Sequence, residues 1–265
     1  HVGNTLTKIS PKCPLEPVAY LDDVLAMLSC VYEATKIQGL LDIKKHYLER
    51  IKEKISILYC SSDKIRKLVD SYAQVNGTKF KKLSEYLLTV QENCNTIQPG
   101  FLTAEIGDLF PENLTLDSNG NIRIIDPSPY SLPYGDWAYD VGTLMWWFKS
   151  LGAPTDRFQK LWREMLKISV KFLNDAANVY YEIPMTTALN ESLTQVNDWA
   201  EKLATKLNDT TLWKARVSLA EGFRFIDMAR KAITRYHDEE CAIMLYAMGL
   251  IALDRCVNLL GGNEP

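Results

Sequence analysis

Asp108, Asn113 and Asp126 are the residues whose types and spacing suit chemistry. They follow the pattern D-x-x-x-x-N, with the second aspartate thirteen positions beyond the asparagine. Between them the sequence alternates through Asn113-Leu114-Thr115-Leu116, passes the polar stretch Asp117-Ser118-Asn119-Gly120, and alternates again through Ile122-Arg123-Ile124-Ile125. Two short alternating runs about a glycine-containing polar turn predict a β-hairpin. A hairpin brings its open ends together, so Asn113 and Asp126 should be neighbours, with Asp108 close by. Two carboxylates and a carboxamide oxygen at one mouth form a hard-oxygen set suited to Mg²⁺. Beside a nucleotide, Asn113 and Asp126 would hold the metal, while Asp108 would orient an acceptor hydroxyl and accept its proton. Any one of the three, taken alone, is more often a turn-capping residue, so only the combination carries weight.

The elements that must position this mouth are mostly helical by periodicity. Leu21, Val24, Leu28 and Val31 recur at helical spacing, as do Leu48, Ile51, Ile55 and Leu58. Weaker patterns cover Ile65 to Tyr72 and Leu83 to Val90. Beyond the hairpin, three stripes predict core-facing helices: Phe158 to Phe172, Trp213 to Ile226, and Cys241 to Leu259 with Gly261-Gly262 as the stop. Pro11, Pro14 and Pro17 make the first twenty residues extended. The fold class expected is mainly α, a single helical domain over 1–265 with the hairpin as its one strand pair. Residues 1–105 precede the catalytic segment, 106–142 form it, and 143–265 make a helical substrate-side part.

Composition excludes several classes. Apolar residues are 47% and charged residues 24%, with a net charge of −3. This is too apolar and too balanced for a disordered chain, and it lacks the basic excess of a nucleic-acid binder. The sequence shows no long uninterrupted apolar run and no signal-peptide pattern, so no membrane partner is expected. The six cysteines are scattered with no C-x-x-C pair, which points to reduced thiols in a cytoplasmic protein. The first residue is His1 rather than Met, as in a piece of a longer reading frame.

Three segments carry a family resemblance. Ile106-Gly107-Asp108-Leu109-Phe110-Pro111-Glu112-Asn113 resembles the catalytic loop of the aminoglycoside phosphotransferase and choline kinase superfamily. Ile124-Ile125-Asp126-Pro127 resembles its metal-binding segment, and Tyr134-Gly135-Asp136-Trp137-Ala138-Tyr139-Asp140-Val141-Gly142 resembles its continuation. The three follow in the family's order over about 40 residues. The resemblance implies a kinase-like carboxy-terminal lobe (α+β by superfamily) that transfers phosphoryl from ATP to a hydroxyl of a small molecule. Asp108 would be catalytic, and Asn113 and Asp126 would bind Mg²⁺ and the nucleotide. Asp140 would begin the next helix and bond the loop's backbone amides. Asp136 is more a turn residue than a functional one.

The departures point the other way. Ile106 and Phe110 stand where the family has histidines, and the first of these normally braces the loop. Ahead of Asp108 there is no G-x-G-x-x-G loop and no V-A-I-K strand, so the amino-terminal lobe of the same full-length chain is missing and this chain alone would be inactive. An inactive kinase-like interaction module is therefore the alternative. His46 and His237 fall in helical stretches far from the motif, and Lys44, Lys45, Lys52, Lys54, Lys64 and Lys67 fit solvated helix faces. Asp156, Glu182, Glu221 and Asp227 could recognise a cationic acceptor, though a solvated face explains each as well.

Overall fold

A computed structural model describes residues 7–8, 18–128, 132–153, 164, 166–173 and 176–262. Eight α-helices are described: α1 (Leu21–Thr35), α2 (Arg50–Cys60), α3 (Asp63–Asp70), α4 (Leu83–Glu92), α5 (Trp137–Ser150), α6 (Thr187–Lys206), α7 (Trp213–Tyr236) and α8 (Glu239–Leu260). The described strands are β1 (Thr7–Lys8), β2 (Ile37–Gln38), β3 (Tyr72–Val75), β4 (Thr78–Phe80), β5 (Phe101–Glu105), β6 (Leu114–Leu116), β7 (Ile122–Ile124), β8 (Leu132–Gly135), β9 (Lys167–Leu173) and β10 (Ala176–Glu182). The class is mainly α with a strand minority, as expected.

The core is helical. α7 and α8 run as a long antiparallel pair, and α5 packs against α7. Backbones approach closely where side chains vanish: a Cβ on Gly222 of α7 would lie 2.8 Å from Leu253 Cγ of α8. Trp137, Trp146, Trp147 and Phe148 of α5 are all buried, so this helix is apolar nearly all round and sits inside the molecule. α8 is apolar and long enough to cross a bilayer, yet most of it is buried against its neighbours.

Strands are more numerous than the periodicity indicated. The hairpin forms as β6–β7, with Leu114 opposite Ile124 and Leu116 opposite Ile122, and β1 adds to it antiparallel. A separate four-stranded sheet has the order β4-β3-β10-β9, with β3 and β10 parallel and Val75 opposite Val179. A third sheet places β5 between β2 and β8. The helix expected across Phe158 to Phe172 is corrected: Ile168 and Phe172 belong to β9, while Phe158, Leu161 and Met165 lie outside the described residues. A four-residue spacing satisfies both a period of 3.6 and a period of 2, and the half-buried, exposed alternation of β9 shows which applies. The pattern from Ile65 to Tyr72 likewise splits, with α3 ending at Asp70 and Tyr72 starting β3.

Candidate active site

β5 delivers the chain to the loop that carries Asp108, and α5 holds that loop from behind. Asp136 caps α5, accepting from the Ala138 amide at 3.1 Å, so the helix starts there and not at Asp140. Asp136 is also more than a turn residue. It is buried, accepts from the Tyr47 hydroxyl at 2.7 Å, and pairs with the buried Arg216 guanidinium at 2.8 Å. Asp140 sits one turn in, fully buried, and accepts from the backbone amides of Ile106 at 2.9 Å and Gly107 at 2.7 Å. Tyr32 donates its hydroxyl to the same carboxylate at 2.9 Å. Burial and the nearby Glu105 charge push the Asp140 carboxyl up to about 7, against the pull of these three donors. Gly107 has φ +80, a left-handed backbone that lets the loop turn while both amides face Asp140.

The hairpin mouth gathers the remaining residues. The Asn113 carboxamide nitrogen donates to the backbone carbonyls of Asp108 at 2.9 Å and Asp126 at 3.2 Å, so one side chain ties the loop to the end of β7. The Ile125 amide donates to the Asn113 carbonyl at 2.8 Å, closing the mouth. Asp126 takes φ +50, a left-handed conformation that Asp tolerates better than most residues and that recurs at functional sites. Both hydrogen bonds use the nitrogen of Asn113, which leaves its carboxamide oxygen outside them. This oxygen and the exposed carboxylate of Asp126, whose backbone Asn113 binds, are the oxygen donors the mouth offers. Among the described residues no group of three or more His, Cys, Asp or Glu forms a metal cluster. A two-residue oxygen set fits Mg²⁺, which keeps several waters and completes its shell on phosphate oxygens, and it fits a dedicated all-protein metal cage poorly.

Several residues here escape periodicity. His46 is not remote from the motif. It lies in a π-helical turn, Lys44–Glu49, is buried, and places Nε2 2.7 Å from Glu105 Oε2. Arg50 reaches the other oxygen of Glu105 at 2.9 Å, and the Asp136 amide donates to the carboxylate at 3.2 Å. Burial alone would raise the Glu105 carboxyl, but His46 and then Arg50 hold it below its ordinary value. A charged brace thus supports the base of the loop, on an element distant in sequence, where Ile106 supplies only a buried apolar side chain.

Asp108 itself is ion-paired. Arg224 of α7 places Nη1 2.7 Å from Asp108 Oδ1, and its guanidinium lies over Trp146 at 4.9 Å and Phe110 at 5.7 Å. Glu221 and Asp227 do not lie on solvated faces. Glu221 is buried between Lys149 at 2.8 Å and Arg255 at 3.0 Å, and Asp227 is buried beside Arg230 at 2.8 Å and Lys54 at 3.5 Å. Lys54 is correspondingly half-buried. With their charges met by cations, neither carboxylate is available to a cationic acceptor. Glu182 is exposed and paired with Lys167, and Asp156 lies outside the described residues. Glu221, Arg224, Asp227, Arg230 and Lys231 recur at i, i+3, i+6, i+9 and i+10 of α7 beside its apolar stripe, and that charged row is the signal in the sequence for these residues.

Comparisons of the chain with protein-family models, with curated proteins and with solved structures found no match.

Proposed function

We propose that this chain is the catalytic, kinase-like carboxy-terminal part of an ATP-dependent phosphotransferase that acts on an alcohol group of a small molecule. The observation that carries this is the convergence at one hairpin mouth of Asp108, Asn113 and Asp126, with the loop amides bound by Asp140. In phosphoryl transfer the protein's work is positioning and charge stabilisation, so a rigid loop matters more than a reactive side chain. Asn113 fixes Asp108 relative to Asp126, and Asp140 fixes the loop's entry. Asp108 orients the acceptor hydroxyl and takes its proton as the new oxygen–phosphorus bond forms and the bond to the departing ADP oxygen breaks. Mg²⁺ held by Asn113 and Asp126 would supply charge neutralisation at the phosphates. The sequence ahead of Asp108 carries no glycine-rich loop or strand lysine, and we assign that half of the nucleotide site to a separate lobe of the full-length protein.

The test is calorimetric titration of Mg·ATP into the full-length gene product and its Asp126→Ala variant. Wild type should bind, and the variant should bind at least about tenfold more weakly, a loss of about 1.4 kcal/mol. Asp108→Asn should abolish transfer while largely sparing nucleotide affinity. Absence of nucleotide binding by the wild type would overturn the enzyme assignment in favour of a kinase-like binding module. The observation favouring that module is the Ile106 and Phe110 departure from the family loop.

A further inference from the structure

A cavity of about 630 Å³ opens among β10, α5, α7 and α8, and none of Asp108, Asn113 or Asp126 lines it. Its volume is that of a small-molecule site. Ile183 and Met185, just beyond β10, give it an apolar wall together with Phe225 of α7 and Met248 and Ile251 of α8. Met248, Ile251 and Arg255 recur at i, i+3 and i+7, so one face of α8 runs from that wall into a charged end. The charged end is Lys149, Glu221 and Arg255. Lys149 Nζ lies 2.8 Å from Glu221 Oε1, and Arg255 Nη2 lies 3.0 Å from Oε2, so two cations share one carboxylate. One positive charge is left over. Glu182, also on the cavity wall, does not balance it, because its carboxylate pairs with Lys167 at 3.0 Å. The side chain of Glu221 is 3% exposed and those of Lys149 and Arg255 are 26% and 34% exposed, so an entering group meets the cations first. A separate observation points the same way. The Nε of Arg255 is buried with no hydrogen-bond partner among the described residues. Burial lowers the Lys149 ammonium pKa, and Glu221 opposes that shift without cancelling it, while Arg255 adds to it. An excess cation and an unmet guanidinium N–H at one end of an apolar cavity lack the same thing, an anionic acceptor of hydrogen bonds.

We infer that this cavity binds a small amphipathic carboxylic acid, with its carboxylate on Arg255 and Lys149 and its hydrocarbon part against Phe225, Met248 and Ile251. One excess charge suits a monoanion, and a dianion such as a phosphate ester would leave a charge unmet in a partly apolar site. The guanidinium fork matches a carboxylate, and the apolar wall rewards a hydrocarbon body in proportion to the area it covers. A neutral analogue keeps the second gain and loses the first. A cationic analogue meets two like charges at the end where its own would lie. The inference stands apart from the phosphotransferase reading, since the residues of that reading do not line the cavity.

The probe is octanoate, titrated calorimetrically into the protein at pH 7, with octan-1-ol and octylammonium as neutral and cationic comparisons of the same length. Saturable binding of one octanoate is expected, with octan-1-ol at least about tenfold weaker and octylammonium weaker still. Arg255→Met should weaken octanoate by about tenfold and leave octan-1-ol unchanged. Glu221→Gln removes the competing carboxylate and should tighten octanoate severalfold, a gain that damage to the fold would not give. Ile251→Trp fills the cavity and should weaken octanoate and octan-1-ol alike. Circular dichroism confirms that each variant is folded. Should Arg255→Met fail to fold, Glu221→Gln and Ile251→Trp decide the matter. Absence of saturable octanoate binding, equal affinity for all three probes, or octanoate affinity unchanged in Arg255→Met or Glu221→Gln overturns the inference. Octanoate affinity unchanged in Ile251→Trp overturns it too, because the anion would then bind outside this cavity.

Discussion

Lys231 is the residue through which stability should report pH. Burial first, then the charge of Arg224, lowers its ammonium pKa to about 8, while Asp227 and Asp108 oppose the shift and Arg230 adds to it. Lys54 reaches the same Asp227 from α2. A lysine whose folded pKa lies below its ordinary 10.5 disfavours folding while it is charged. Below about pH 8 both folded and unfolded chains hold the proton, so the cost is present in full. Between about 8 and 10.5 the folded chain has released it and the unfolded chain has not, so this residue makes stability rise with pH. Denaturant unfolding should show wild-type stability rising between about pH 8 and 10.5, with a smaller rise in Lys231→Met. A rise of the same size in both would show that Lys231 does not carry this dependence. At this scale the proximity of Asp108, Asn113 and Asp126 was legible in the sequence, because a loop and a hairpin put them at fixed offsets, whereas the helix expected to begin at Asp140 begins at Asp136. Arg224, Lys54 and His46 were not legible, because their partners lie on elements distant in sequence and only packing brings them together.

The spacing between α5 and α7 sets where Arg224 meets Asp108. Gly142 makes that spacing possible: a Cβ there would lie 2.6 Å from Ala220 Cβ and 2.7 Å from the Glu221 backbone nitrogen. The obstacles are backbone and a fixed methyl, which cannot swing aside. Gly142→Ala should therefore force α7 outward and destabilise the protein by about 1–3 kcal/mol, despite the better helix propensity of Ala. Denaturant unfolding measures this, and a variant as stable as wild type would mean that the two helices are not packed this closely. The outward step should also loosen the ion pair with Asp108, because Arg224 lies one turn beyond Ala220 on the displaced helix. Among elements, long stripes such as Cys241 to Leu259 identified α8 correctly, since a 3.6-residue period repeated over many turns has no strand alternative. β3, β9 and β10 were missed for the converse reason. Each is short, and their parallel and antiparallel pairing is a tertiary fact that local periodicity does not encode.

The molecule as a whole joins what the motif divides. β3, from the chain ahead of the Asp108 loop, pairs in parallel with β10 from the chain beyond it, burying Val75 against Val179 and Ala73 against Ala177. α3 and α4 pack on α8. α1 contributes Tyr32 to Asp140, and the π-helical turn contributes Tyr47 to Asp136. The segments before and after the loop therefore bury one continuous core that includes side chains of each. We expect the described residues to unfold as one cooperative unit, with a calorimetric to van't Hoff enthalpy ratio of about 1. Val75→Ala, made in the sheet, should lower the midpoint by about 2–4 °C per kcal/mol lost. The tryptophan signal of α5 should move by the same amount as the far-ultraviolet signal. Separate transitions for the two signals would show that the sheet is an independent body, and would remove the mechanical link by which the amino-terminal half of the chain holds the Asp108 loop in place.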